Sequence, residues 1–216
     1  VAVNLEPFID HCADEIERIR TLRKAGHEDF NFNPNRMIAY DKAIEILIDC
    51  RDMGVQGIQF TGGGEPTVHP EFPLILSETR RRGLSYAVVT NGVNVTKRNI
   101  AGALAKAAWV RVSLDAGTPG TYQRIRNVPD WHWEYALNAI RAIRTERDRQ
   151  GTDCVIGVGF VVTQENWREV VPAVLHARDN GADNVRISAQ FSADDELRFA
   201  GFHEECAALC REAERA

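Results

Sequence analysis

Val55-Gln56-Gly57-Ile58-Gln59-Phe60-Thr61-Gly62-Gly63-Gly64-Glu65-Pro66 joins a short strand-like run to a glycine loop that carries one carboxylate. Three successive glycines leave backbone N–H groups bare, so the chain can wrap closely around a small ligand. Glu65 adds an anionic acceptor, which suits a cationic group better than a phosphate. Pro66 fixes φ and stiffens the exit from the loop. In an α/β chain, a strand that empties into such a loop marks a binding site at the carboxyl edge of a sheet. Taken alone, the same five residues also read as a tight glycine turn with a solvated Glu. The other strand ends decide between the two.

Working outward, four more runs share the build of the first. Leu84–Asn91, Trp109–Ala116, Val155–Thr163 and Asn184–Phe191 are short, rich in Val, Ile and Phe, and bounded by Gly, Asn or Asp. The intervening segments carry helical period. Ala39, Ala43, Ile46, Leu47 and Cys50 precede the first run; Trp133, Leu137, Ile140 and Ile143 precede the fourth. Trp167, Val170, Val171, Val174 and Leu175 precede the fifth, each set forming one apolar face. Helix followed by repeated strand–helix units calls for a parallel sheet with right-handed crossovers. Few of the strands alternate cleanly, which predicts burial on both faces. The long third unit has room for an extra short helix, Thr118–Arg126, opened by Thr118-Pro119. Residues 1–35 differ: Glu6–Lys24 is a charged amphipathic helix candidate and Gly26–Asn35 a polar loop, and neither supplies a strand. The expected organisation is an N-terminal helix and loop (1–35), a β/α core (36–195) and a C-terminal helix (196–216).

Composition excludes several classes. At 216 residues the chain suits one well-buried core, and 44% hydrophobic with 26% charged residues is ordinary for a soluble globular protein. A net charge of −5 argues against general nucleic-acid adhesion. No apolar run approaches the ~20 residues that span a bilayer, and no basic-then-apolar signal peptide opens the chain. The five cysteines, Cys12, Cys50, Cys154, Cys206 and Cys210, are scattered and odd in number, as expected of reduced cytoplasmic thiols. Cys206 and Cys210 lie four apart on a helix-like segment and read as packed side chains. His69 before Pro70 reads as a loop or capping residue, and Trp133 as an anchor of its helix to the core.

The strand ends converge in chemistry. Thr90-Asn91-Gly92 closes the second strand with a polar turn where Asn91 and Gly92 can take positive φ. Ser113-Leu114-Asp115 closes the third, with Ser113 and Asp115 on one face. A hydroxyl plus a carboxylate there suits the hydroxyls of a ribose, or else caps the following helix. Gly157 and Gly159 thin the fourth strand, either for a flat ring against Phe160–Val162 or for close packing. Of Arg124 and Arg126, one can point inward as a bidentate partner for a carboxylate and the other into solvent. Arg186 and Gln190 share a face of the last strand; if it is the inner one, they meet a substrate or cofactor.

Gly-Gly-Gly-Glu-Pro, Thr-Asn-Gly, Ser-Leu-Asp and Tyr122-Gln123-Arg124-Ile125-Arg126, falling in order at successive strand ends, resemble the core of the radical S-adenosylmethionine (SAM) superfamily over about residues 36–191. The resemblance implies an α/β fold, a partial (β/α)6 TIM-like barrel of parallel strands that binds SAM across its open carboxyl edge. It implies that Gly62, Gly63, Gly64 and Glu65, stiffened by Pro66, hold the methionyl ammonium. Ser113 and Asp115 would lie near the ribose, Arg126 would pair with the methionyl carboxylate, and residues around Val161 would contact the adenine. Thr90 and Asn91 would line the same floor. The implied chemistry is one-electron cleavage of SAM by a 4Fe-4S cluster to a 5′-deoxyadenosyl radical, fed by a flavodoxin- or ferredoxin-like donor, in the cytoplasm. The substrate is not implied.

The chain departs from the family at one place. A Cys-x3-Cys-x2-Cys loop should follow a first strand ahead of Gly62, but only Cys12 and Cys50, 38 apart, stand there. Three thiolates hold such a cluster with one iron left open, and two distant ones cannot. With no initial Met and no first strand, the expectation is a fragment lacking strand one and the cluster loop, itself without radical activity. The alternative is a cluster-less SAM- or nucleotide-binding module. A barrel enzyme holding a phosphate in the glycine loop is disfavoured by Glu65.

Overall fold

Each of the five apolar runs forms a strand. The computed structural model describes residues 37–62, 64–190, 199 and 201–215. Its elements are α1 (Tyr40–Asp52), β1 (Gly57–Phe60), α2 (Phe72–Arg81), β2 (Ser85–Thr90), α3 (Val93–Lys97), α4 (Ala101–Leu104) and β3 (Trp109–Ser113). There follow α5 (Pro119–Arg126), α6 (Trp131–Gln150), β4 (Val155–Val162), α7 (Val170–Asp179), β5 (Asn184–Ala189) and α8 (His203–Ala213), with single 3-10 turns at Pro66–Val68 and Trp167–Glu169. The helix expected at Glu6–Lys24, the loop at Gly26–Asn35 and Cys12 lie outside the described residues.

The strands run in the order β1-β2-β3-β4-β5, every pair parallel, in a sheet that does not close. Sequential parallel neighbours joined by helices are what the strand–helix repeat requires. On the helix-covered face Val88, Val110, Val112, Leu114, Ile156 and Val158 are fully buried. Leu137, Ile140 and Ile143 of α6 close over them in the largest core cluster. Each such side chain contributes about 1.5–3 kcal/mol by leaving water.

The expectation of burial on both faces holds along β2, where Tyr86, Ala87 and Val88 are all buried, and over Ile156–Val158 of β4, but fails along β3. Burial alternates along β3, where Trp109, Arg111 and Ser113 are only half-buried while Val110 and Val112 are fully so. Gln59, Asn184, Arg186 and Val161 are exposed on the same face. That face carries polar side chains because it lines the bowl of an unclosed barrel rather than a second helical layer. A second cluster joins Phe160, Val162, Trp167 and Val170 to Phe202 and Cys206 at the start of α8, with Trp167 stacked on Phe202 at 5.3 Å. Burial there pushes the Cys206 thiol up to about 11, and does the same to Cys154. On α1 the predicted stripe is only partly buried: Ala43 and Leu47 face the core and Ile46 is exposed.

Local signals set the element ends that matter for the site. Thr118 caps α5, its hydroxyl accepting from Thr121 N, with Pro119 in the first turn and Asn127 left-handed at the end. Gly92, at φ +82, starts α3 beside the second strand end. Asn91 does not share that conformation. Its side-chain oxygen instead accepts from Val93 N at 3.0 Å and caps the helix. A Cβ on Gly92 would stand 3.0 Å from both Ala136 Cα and Ala139 Cβ of α6. Backbone strain and overlap combine, so Gly92→Ala is expected to lose about 2–5 kcal/mol in a denaturant melt. A loss under about 1 kcal/mol would show that α6 moves aside freely.

Candidate functional site

The Glu65 carboxylate joins two strand ends. Its Oε1 accepts from Thr67 N (3.1 Å), Thr67 Oγ1 (2.6 Å) and Thr90 Oγ1 (2.6 Å), and Oε2 accepts from Asn91 N (2.7 Å). Pro66 opens the short 3-10 turn that brings Thr67 back to Glu65. A carboxylate offers about four lone-pair sites, two on each oxygen. Oε1 is saturated from within the protein, and Oε2 keeps one acceptor site for a ligand donor. Thr90 Oγ1 also accepts from Gly92 N at 3.0 Å, so the loop after β1 and the turn after β2 form one network.

The third and fourth strand ends are locked in a similar way. Asp115 Oδ1 accepts from Val161 N at 2.8 Å, and Oδ2 is ion-paired with Arg126. Asn166, fully buried, donates to Asp115 O and Val161 O, both at 2.8 Å, and accepts from Thr163 N at 2.6 Å. Glu169 accepts from Gly117 N (2.8 Å), Thr118 N (3.1 Å), Thr118 Oγ1 (3.0 Å) and Thr121 Oγ1 (2.6 Å), fixing the start of α5. That helix then delivers Arg126 inward, while Arg124 is exposed and donates to Thr121 Oγ1. The opposite orientations of the two arginines are those expected from the sequence.

Outside the strand ends, Arg98 donates to the carbonyls of Thr67, Val68, His69 and Pro70 at 2.8–3.1 Å, pinning the chain just past Glu65. Glu71 N donates to His69 Nδ1, so Nε2 carries the proton and donates to Ile38 O at 2.8 Å. His69 is thus a loop tie. Trp133 anchors α6 by donating to Ala116 O at 3.2 Å.

A cavity of about 300 Å³ opens among these ends, lined by Thr61, Gly62, Gly64, Glu65, Val89, Thr90, Asn91, Ser113 and Arg126. Seven of the residues singled out in the sequence therefore meet around one space. Gly63 lies outside the described residues. Asp115 does not line the cavity; it sits behind Arg126, buried, its carboxylate spent on Arg126 and Val161. Val161 is exposed on the bowl face, whereas Phe160 and Val162 point to the helices. Over Gly157 and Gly159 lie the side chains of Asn184 and Arg111 in place of an open platform. The Nε of Arg126 is buried with no partner. Sequence reading missed Asn166, Glu169, Arg98 and Arg111, most of whose partners lie about 30–50 residues away along the chain.

A sequence model of the radical SAM superfamily matches residues 16–177. The chain belongs to the radical SAM superfamily. Among curated relatives, it is 28% identical over 151 residues to the tungsten-containing aldehyde ferredoxin oxidoreductase cofactor-modifying protein of Pyrococcus furiosus, covering 69% of this chain and 42% of that one. It is 24% identical over 156 residues to the GTP 3′,8-cyclase of Xanthomonas axonopodis pv. citri, covering 71% and 45%. The fold matches Streptococcus suis SuiB bound to S-adenosylmethionine with a TM-score of 0.62, at 16% identity over 81% of this chain and 39% of that one. This chain spans less than half the length of these curated relatives. Radical SAM enzymes use SAM and a 4Fe-4S cluster. The cavity residues fit SAM, since a spare carboxylate acceptor and an unspent arginine N–H answer its ammonium and carboxylate. No cluster site matches them: among the described residues no three Cys, His, Asp or Glu groups gather to hold a metal, and Cys50, Cys154, Cys206 and Cys210 are free thiols. No helix among the described residues is long and apolar enough to cross a membrane.

Proposed function

We propose that this radical SAM domain binds SAM in the carboxyl-edge cavity, as part of an enzyme that abstracts a hydrogen from its substrate. The observation that carries the reading is the pairing, in one cavity, of Glu65 with a spare acceptor site and Arg126 with a buried, unpartnered Nε. Glu65 and the carbonyls of the Gly62–Gly64 loop take the methionyl ammonium. Arg126, held by Asp115, donates to the methionyl carboxylate, and the charge-assisted contact fixes that end of the ligand. Ser113 faces the ribose, with Asp115 acting from behind through Arg126. Val161 offers the adenine an apolar edge, and Thr90 and Asn91 complete the floor by holding Glu65.

Bound beside a 4Fe-4S cluster in the whole protein, SAM would supply a 5′-deoxyadenosyl radical, with the electron delivered by a flavodoxin- or ferredoxin-like donor. The task of this chain's residues is orientation and exclusion of water. Calorimetric titration tests the reading directly. SAM is expected to bind, Arg126→Met to weaken it about 10- to 100-fold, and decarboxylated SAM to bind both forms equally. Equal loss for both ligands would remove the carboxylate contact. Absence of SAM binding, with ATP bound instead, would replace this reading by a nucleotide-binding module.

A further inference from the structure

The bowl face of the sheet carries two arginines that the SAM cavity does not use. Arg111 lies on β3 in register with Gly157 of β4, which in turn pairs with Asn184 of β5. One row toward the carboxyl edge, Ser113 pairs with Gly159, which pairs with Arg186. Parallel neighbours in register share a face, so Arg111 and Arg186 both stand in the bowl. A Cβ on Gly159 would sit 3.2 Å from Arg111 Cδ. The Arg111 side chain therefore crosses β4 over Gly159, the residue beside Arg186. A Cβ on Gly157 would sit 2.9 Å from Asn184 Oδ1, so the second glycine makes room for that amide. Two glycines inside one strand weaken it, and the space they leave is filled by polar groups rather than by core.

Among the described residues no carboxylate pairs with Arg111 or Arg186. Arg111 Nε is buried with no hydrogen-bond partner. Its guanidinium carbon lies 4.9 Å from the Trp109 ring centroid, a cation–π contact that supplies no counter-charge. A cavity of about 240 Å³ lies beside Arg111 at the amino ends of β3, β4 and β5, lined by Trp109, Val110, Arg111, Val155, Gly157 and Asn184 but not by Arg186. The carboxylates at the rim are already engaged, Glu65 by Thr67, Thr90 and Asn91, and Asp115 by Arg126 and Val161. A desolvated cationic donor without a partner is costly, and an oxyanion satisfies it.

We propose that Arg111 and Arg186, with Asn184, bind an oxyanion, the carboxylate or phosphate group of this enzyme's substrate. Ser113 lines the SAM cavity and shares a row with Gly159 and Arg186, so Arg186 stands two strands across from that cavity on the same face of the sheet. The assignment rests on the radical SAM reading for the word substrate, while oxyanion binding stands without it.

Calorimetric titrations with pyrophosphate and with glutarate, at physiological salt, test the site. At least one probe is expected to bind. Arg111→Met and Arg186→Met should each weaken it about 10- to 100-fold, with SAM affinity unchanged. Arg111→Lys should retain more binding than Arg111→Met, and Arg126→Met should leave the probe affinity as it was. Pyrophosphate alone binding assigns a phosphorylated substrate, and glutarate alone a carboxylated one. Failure of both probes at millimolar concentration overturns the proposal, as does binding that survives the double Arg111→Met, Arg186→Met variant. Circular dichroism confirms that each variant is folded. Probe binding without SAM binding sinks the SAM reading alone, and SAM binding without probe binding sinks this one alone.

Discussion

Glu65→Ala is expected to lower the melting temperature by about 5–15 °C and to weaken SAM binding about 10- to 100-fold. Both effects come from the same carboxylate. Its removal strands Thr67 N and Asn91 N, which lose acceptors at 3.1 and 2.7 Å, in a region where Thr67 and Thr90 are almost wholly buried. Each stranded donor costs about 1–3 kcal/mol, while the two threonine hydroxyls can rotate to other partners. The ligand loses its ionic acceptor at the same time. Glu65→Gln separates the two effects: it keeps the volume and one oxygen but turns an amide N–H2 toward one set of donors. It should melt between wild type and Glu65→Ala while binding SAM nearly as poorly as the alanine variant. Calorimetric melting with SAM titration reads both quantities. An unchanged melting temperature in Glu65→Ala removes the clamp, and unchanged SAM affinity in a folded variant removes the ammonium contact.

Asn166→Ala should be about as damaging to the fold, with a melting temperature lower by about 5–15 °C, although Asn166 does not line the SAM cavity. Alanine there leaves the carbonyls of Asp115 and Val161 and the N–H of Thr163 without partners in a dry site, at about 1–3 kcal/mol each before relaxation. Asn166→Asp tests the donor half separately. It keeps the acceptor toward Thr163 N but faces two carbonyl oxygens with a carboxylate, so it should destabilise at least as much as alanine. If Asp proves milder than Ala, the two carbonyl contacts carry little of the stability. SAM affinity should fall in both variants, because Asp115 loses its backbone anchor and with it the support of Arg126. A variant that melts early but binds SAM as wild type would confine Asn166 to the fold.

The strand runs and the order of motifs were readable because both are local. A parallel strand covered by helices needs a short run of Val, Ile and Phe, and the glycine loop, Thr90-Asn91-Gly92 and Ser113-Leu114-Asp115 each sit at the end of one. Thr118-Pro119 announced α5 through capping chemistry within four residues. The face of β3 was misread because Arg111 and Ser113 interrupt the apolar run without an even alternation along the other strands, and which face a closing layer covers depends on distant chain. The role of Asp115 shifted for the same reason: Arg126 and Val161, 11 and 46 residues away, take its carboxylate.

Residue order alone established five parallel strands, their helical crossovers and the polar residues at each carboxyl end, since period, turn chemistry and capping act over a few residues. Only the tertiary structure decided which polar groups satisfy one another and which stay unspent. Hydrogen bonds and ion pairs are made between whatever groups folding brings within about 3 Å, however far apart in the chain. Among the described residues, Glu65 with one free acceptor site, Arg126 with an idle Nε and Arg111 with no counter-ion are remainders of that pairing, and they are where we propose that this radical SAM domain receives its ligands.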